Sequence, residues 1–523
     1  MISLVLDYAT PSALSSTRER ADLSLTSDRR RPVRFHGRVA GEIFLFRLAL
    51  RTLGEVIWSS DVWRESGTFL DPVITVHPDR IIFEAFSQDQ STYAQVLVDP
   101  SLFEVEGEVS CGTTNVDFTS WLWAALAELR SHRETWIRID AGGFEVATSG
   151  SGGRFEQKVE LPIPWIRGFL QLMGAMAMPG TSLQVRPVDL LSAIRFLRYT
   201  KAKMSPRALR YEFPPGEDAR IVLEPWEHVV KLRGVSHHYE EHKVIRTWGR
   251  RRLRLIEPLL PFADAVKVYL KGRALPSFYA VKLGSITFIL GLSSWSGAQW
   301  TETAGFDLLI SDGEIDGGLL QSLTEKLASS YAIDARREAE SLGTGIEEVT
   351  AALAALCRQG RVVYDLENRQ YRYRELLDSI PPHHEIFPPD ERKENARVLL
   401  REHRVTVASC TPRETRKVRT MDTPAGKVTR EILYRDWHIM GSAGGEKEVE
   451  VVQNDAGSLI FGTCGCRFFQ DNLLNRGPCE HMLALLAEGE KVKKDRPASV
   501  EAALPQGEGN KGEKGDNSGN VEE

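Results

Sequence analysis

The chain has 523 residues, enough for roughly three to four domains, with 42% hydrophobic and 26% charged residues, the balance of a globular protein with sizeable cores. Its formal net charge of -6 gives no global attraction to nucleic acid or to an anionic membrane, so binding of that kind would have to come from local patches. The opening residues MISLVLDYATPS carry no basic leader, and no apolar run is long enough to span a bilayer, so a cytoplasmic protein without membrane contact is expected.

Residues 1–135 read as a mixed α/β region. VRFHGRV alternates as a strand, GEIFLFRLALRTLGEVI has helical spacing, and DPVITVHPDRIIFEAF reads as two strands around the turn HPD. NVDFTSWLWAALAELRS predicts a helix capped by Asp117, with Phe118, Trp121, Leu122, Ala125 and Leu129 on a buried face. Residues 136–312 read as a second α+β region. It has a helix opening at Pro187, a helix over WGRRRLRLIEPLL, and three strands, AVKVYL, SFYAVKL and ITFILGL, the last two joined at Gly284-Ser285.

Residues 313–378 carry a sharper pattern. GGLLQSLTEKLASSY, DARREAESLG and TGIEEVTAALAALCRQG are three helices, the second ending at Gly343. Thr344 and Glu347 are spaced as a capping box, and Ile346, Val349, Leu353 and Leu356 form the third helix's apolar stripe. RVVYDLENRQYRYREL then alternates as a hairpin turning near Glu367-Asn368. Three helices and a hairpin in this order resemble a winged helix-turn-helix. Residues 379–395 are a proline-rich linker, 396–490 hold short strands and a cysteine cluster, and 491–523 form a polar, aromatic-free tail expected to be disordered. The fold class expected is α+β and multidomain.

Three of the six cysteines fall close together in CGCRFFQDNLLNRGPCEH. Cys464 and Cys466 are one residue apart, and after twelve further residues Cys479 and His481 repeat that spacing. In a reducing compartment, three thiols with an imidazole point to a metal rather than to disulfides. Zinc at a structural site takes four such ligands in a tetrahedron. Gly462 and Gly465 let the chain bend after a strand-like GSLIFGT, and CEHMLALLAEGEK reads as a helix with Cys479 and His481 in its first turn. The four residues close the coordination shell and leave no place for water, which points to a structural ion.

This pattern, Cys-x-Cys then Cys-x-His, resembles the SWIM zinc finger at all four ligand positions. Across its length the chain also resembles bacterial SWIM zinc-finger proteins, with stretches such as GRALPSFYAVKLGSITFILGLSSW contributing. The resemblance implies a zinc-bearing, non-enzymatic adaptor or recognition subunit that contacts protein or nucleic acid. It also implies a protein partner such as a MoxR-type AAA+ ATPase or a von Willebrand A-type protein.

Candidate partner-binding residues follow from charge. TPRETRKVRT holds Arg413, Arg416, Lys417 and Arg419; RTWGRRRLRL holds Arg250, Arg251 and Arg252; the predicted wing holds Arg369, Arg372 and Arg374. Solvated faces paired within the chain are the plainer reading of each run. Glu347 and Glu348 stand where a groove-reading helix would carry donors, so the helical module reads as a protein-contact or backbone-contact module. The order His238, Glu241, His242 is that of a metal-binding helix, but its surroundings lack helical periodicity and read as a solvated loop. No phosphate-binding glycine loop, no Gly-x-Ser-x-Gly elbow and no acid/base carboxylate pair stands out; an enzyme whose site is scattered over residues 1–312 is the remote alternative.

Overall fold

The computed structural model describes residues 4–58, 71–141, 157–161, 163–202, 207–235, 237, 239–272, 275–293, 316–377, 391–423, 426–454, 459–474 and 477–494. Within these, the side chains of 414–423 and 426–435 lie outside the description.

The chain begins β1 (Leu4–Tyr8), β2 (Ala13–Ser16), β3 (Arg20–Thr26), β4 (Phe35–Val39) and α1 (Ile43–Trp58). It continues through β5 (Val73–Val76), β6 (Ile81–Phe86), β7 (Thr92–Val98), β8 (Phe103–Val105), β9 (Gly112–Asn115), α2 (Ser120–Ala125) and β10 (Glu134–Asp140). Next come β11 (Gln157–Leu161), α3 (Ile163–Ala177), β12 (Thr181–Val185), α4 (Pro187–Tyr199), β13 (Leu209–Phe213), β14 (Arg220–Leu223), β15 (His228–Lys231) and β16 (Lys243–Thr247). Three further strands, β17 (Ala265–Leu270), β18 (Ser277–Leu283) and β19 (Ile286–Leu292), end this part.

The two expected N-terminal regions share one sheet. Its eight antiparallel strands run in the order β12-β17-β18-β19-β7-β6-β5-β9, and β19 pairs β7 from Ile286↔Val98 to Leu292↔Thr92. Position 135 therefore does not separate two sheets. Strands such as Ile286–Leu292 are buried along their whole length, which explains their unbroken apolar runs. Helix α1 buries Phe46, Leu50, Leu53 and Ile57 against β6, β7 and β19. A five-stranded sheet, order β2-β3-β10-β4-β8, a four-stranded sheet, order β15-β14-β13-β16, and the antiparallel pair β1-β11 complete the part among the described residues.

Two expectations change here. The helix after Asn115 starts at Ser120: Thr119 caps it, accepting from the Leu122 amide at 3.1 Å, while Asp117 instead accepts from the Ser12 amide. Trp121, expected on the buried face, is 85% exposed, and Trp123 turns inward onto Gly54. WGRRRLRLIEPLL forms 3₁₀ turns at Arg250–Ile256 and Leu260–Phe262 rather than an α-helix, with Gly249 at φ +79° before the first.

The next module runs α5 (Gly317–Ser330), β20 (Ala332–Ile333), α6 (Ala335–Leu342), α7 (Ile346–Arg358), β21 (Val362–Asp365) and β22 (Gln370–Tyr373), with strand order β20-β22-β21. Asp316 and Asp334 cap the first two helices through their carboxylates, and Gly343 at φ +64° ends the second. The predicted capping box does not form: Gly345 is the N-cap of α7 and makes no side-chain cap bond. Val349, Leu353 and Leu356 are buried, whereas Ile346 is exposed. The hairpin packs on the large sheet through buried charge. Arg374 pairs with Glu84, both wholly buried, and Tyr93 Oη donates to the same carboxylate at 2.6 Å.

The C-terminal module comprises α8 (Glu391–Arg401), β23 (Val405–Thr423), β24 (Gly426–Ala443), β25 (Glu446–Asn454), β26 (Leu459–Thr463), α9 (Arg467–Asn472) and α10 (Glu480–Lys494). Its four strands form an antiparallel meander in sequence order. Strands of 19 and 18 residues replace the short ones expected, and α8 begins inside the span read as linker. The rest of that linker and the 495–523 tail lie outside the described residues. Among the described residues, no helix is long and apolar enough to cross a membrane.

Candidate metal centre

Four local structures converge on one point. Strand β26 ends at Thr463, and Cys464 follows it directly. Cys466 is the N-cap of α9, with its Sγ accepting from the Phe469 amide at 3.5 Å. That amide favours a thiolate there. Cys479 immediately precedes α10, and His481 lies in its first turn. The short helix α9 was not expected from the sequence; its signal is a cysteine in the N-cap role ahead of RFFQDN.

The donor atoms of Cys464, Cys466, Cys479 and His481 all lie within 4.8 Å of one another, and Cys464 Sγ stands 3.8 Å from His481 Nδ1. Zinc bond lengths of about 2.3 Å to sulfur and 2.0–2.1 Å to nitrogen give tetrahedral edges of about 3.6–3.8 Å. The cluster therefore fits a zinc ion. The three cysteines are buried and His481 is half-buried, so solvent does not compete from several sides.

The electrostatics favour the same reading. The Cys479 thiol hydrogen-bonds Cys464 and holds that thiol down, at about 4, while the same contact pushes Cys479 far up. Burial pushes Cys466 up, and the Cys464 sulfur raises His481. Three buried sulfurs share protons because they cannot all ionise together; a divalent cation removes that conflict.

The packing around the cluster is tight. Gly444, at φ +62°, passes so close that an added Cβ would sit 3.0 Å from His481 Cδ2 and 3.0 Å from Leu399 Cδ2. A Cβ on Gly441 would meet the Thr406 carbonyl oxygen at 2.1 Å and Leu485 at 2.7 Å. Helix α8 braces the site: Ala396 and Leu399 pack with Ala484, and Arg392 donates to the Pro478 carbonyl at 3.2 Å and lies over the Phe468 ring. These glycines escaped sequence reasoning, although the Gly444-Gly445 pair marks a turn.

The arginine candidates fare differently. Arg372 is buried, with Nε on Asp365 at 2.8 Å and Nη1 on both Asp79 oxygens at 2.9 Å, so it serves the docking of the hairpin and is not available to a partner. Arg250 is buried too, donating to the Glu224 and Ala208 carbonyls under the Trp226 ring; burial lowers its guanidinium to about 10. Arg252 pairs with Asp89 and donates to Thr92 Oγ1 at 2.8 Å. All three are engaged within the fold, Arg372 and Arg250 buried and Arg252 half-buried, because neighbours invisible in the local run supply carboxylates, carbonyls and a hydroxyl. Arg251, Arg369 and Arg413 are exposed. The side chains of Arg416, Lys417 and Arg419 lie outside the described residues, although their backbone belongs to β23. Glu241 and His242 are exposed, and His238 lies outside the described residues.

Residues 449–489 match the SWIM zinc finger family. No curated protein matches the chain in sequence. Among solved structures, proliferating cellular nuclear antigen from Entamoeba histolytica is similar at 12% identity and a TM-score of 0.34, covering 49% of this chain and 97% of that one. PCNA from Thermococcus kodakaraensis is similar at 14% identity and a TM-score of 0.32, covering 49% and 98%.

Proposed function

We propose that the chain is a non-enzymatic adaptor or recognition subunit whose C-terminal module is stabilised by zinc and contacts a protein or nucleic-acid partner. One observation carries this reading: four protein donors, three of them buried thiols, close around a single point. A shell filled by protein leaves the ion no position for substrate or water, so the ion acts on folding rather than on chemistry. A cytoplasmic setting suits the reading, since a reducing compartment keeps the thiols free to bind metal.

The module over 316–377 supports a docking role. Its order of helix, short strand, two helices and hairpin fits a winged helix, and its wing arginine Arg372 is consumed internally. The exposed Glu347 and Glu348 at the start of α7 suit a basic protein surface better than phosphates. The resemblance of the sequence to bacterial SWIM proteins supports a MoxR-type AAA+ ATPase or a von Willebrand A-type protein as the partner.

Affinity capture of the zinc-loaded chain from its native cell, with elemental analysis of the same sample, tests this. Expected are near-equimolar zinc and an AAA+ or von Willebrand A-type protein retained. Metal-free protein with an intact C-terminal module, or turnover of a substrate abolished by a change in residues 1–312, would overturn it.

A further inference from the structure

Strands β23 and β24 outrun the sheet they belong to. Their register holds from Arg413↔Asp436 to Thr423↔Gly426, while β25 joins β24 only from Asp436↔Asn454 onward. Among the described residues, positions 413–423 and 426–435 therefore pair with each other alone. At a rise of about 3.3 Å per residue the ribbon beyond the sheet is about 35 Å long.

The register sorts its charges into two unequal sets. One parity holds Glu414, Arg416 and Asp422 with Lys427, Glu431 and Arg435. There, Glu414 is the register partner of Arg435, Asp422 that of Lys427, and Arg416 is diagonal to Glu431, so this face is neutral. The other parity holds Arg413, Lys417, Arg419 and Arg430 against Asp436 alone, a net charge of +3. Arg413 is the register partner of Asp436. Arg419 is the register partner of Arg430, and Lys417 is two positions away on the same face with Ile432 opposite. Like charges directly across a ladder destabilise it. This ribbon places two arginines opposite each other and a lysine beside them, with no acidic residue between, in a chain whose net charge is -6.

We propose that this ribbon is a duplex-DNA arm, with the face that carries Arg413, Lys417, Arg419 and Arg430 neutralising backbone phosphates. A two-stranded ribbon is of the width that the B-form major groove admits, and among the described residues no further strand pairs with either of its edges. A polyanion presents closely spaced phosphates to the two arginine positions that the register sets opposite each other, which a partner with scattered carboxylates does less completely. The inference rests on the reading of the C-terminal module as an interaction module and names its partner. The zinc site fixes the root of the arm: Ile439, near the base of β24, packs under Gly489 of α10, the helix that carries His481.

The test uses the full-length, zinc-loaded protein and a short mixed-sequence DNA duplex, with binding followed by anisotropy over a salt series. Neutralising the cationic face as Lys417→Gln/Arg419→Gln/Arg430→Gln is expected to weaken binding roughly tenfold or more. The slope of log affinity on log salt should become shallower by about 2.7. The matched triple Arg416→Gln/Lys427→Gln/Arg435→Gln removes the same charge from the neutral face and is expected to bind within about threefold of the unaltered chain at low salt. Both triples should keep full zinc content and a folded, protease-resistant C-terminal module, which separates this proposal from the zinc reading. Equal losses in the two triples, loss in neither, or a preference of the unaltered chain for polyglutamate over DNA would overturn the proposal.

Discussion

At the scale of single residues, the buried ionisable groups make predictions that exposed ones do not. Cys466 holds a ligand position and caps α9 at once. Cys466→Ser replaces a soft thiolate with a poor zinc ligand, and elemental analysis should show most of the zinc lost. Lys271 is buried, donating to the Met176 and Met178 carbonyls at 2.7 Å each, and burial pulls its amine down to about 7. Asp71 is buried beneath the Tyr8 hydroxyl, and burial pushes its carboxyl up to about 7. The signs oppose. Between the ordinary carboxyl range and pH 7 the folded chain holds the proton on Asp71 more tightly than the unfolded one, so stability falls as pH rises. From pH 7 to the ordinary lysine range the unfolded chain binds more protons, and stability rises with pH. Each limb has a slope of up to about 1.4 kcal/mol per pH unit. Denaturant titrations across pH should show Asp71→Asn flattening the acid limb and Lys271→Met the alkaline one.

At the scale of elements, junctions carry the energy. The pair Arg374–Glu84 joins the hairpin after α7 to the large sheet with both partners out of water. Removing one partner strands the other, so Arg374→Met should cost about 3–5 kcal/mol in chemical unfolding. Pairing it with Glu84→Gln should recover much of that loss, because the stranded charge is gone. Gly441 of β24 lies tight against Thr406 of β23 and Leu485 of α10. Gly441→Ala should destabilise the C-terminal module by about 1–3 kcal/mol, with the backbone carbonyl of Thr406 unable to yield.

At the scale of the whole molecule, stability is unevenly distributed. The core around the eight-stranded sheet contains no metal-binding set among the described residues, whereas residues 391–494 gather thin layers around the four ligands. Zinc binding there is folding free energy. A strong chelator should therefore open the C-terminal module to protease while the sheet and the docked helical module over 316–377 stay resistant. Uniform resistance along the chain would contradict a structural ion.

The zinc ligands were legible because everything that identifies them is local: residue type, a one-residue gap repeated, and a helix beginning at the second pair. Helices α1, α4 and α5 to α7 were legible for the same reason, since apolar spacing, Pro187 in a first turn and a terminal Gly343 act within a turn or two. The hairpin at Gly284-Ser285 is equally local, with Gly284 at φ +56°. Only the tertiary structure decided which charges are spent. Arg372 and Arg374 look like a wing's phosphate contacts until Asp79 and Glu84, nearly three hundred residues earlier, meet them in the core. It also decided that residues on both sides of position 135 share one sheet, through the pairing of β7 with β19. Trp121 shows the limit in miniature: it is exposed one residue before the buried Leu122, while Trp123 packs onto Gly54, a contact with a distant helix that no local spacing encodes. Local sequence fixes propensity, spacing and ligand chemistry, because those act over a few residues. Pairing between distant strands and burial of distant charges depend on how the whole chain closes, and no local pattern encodes that.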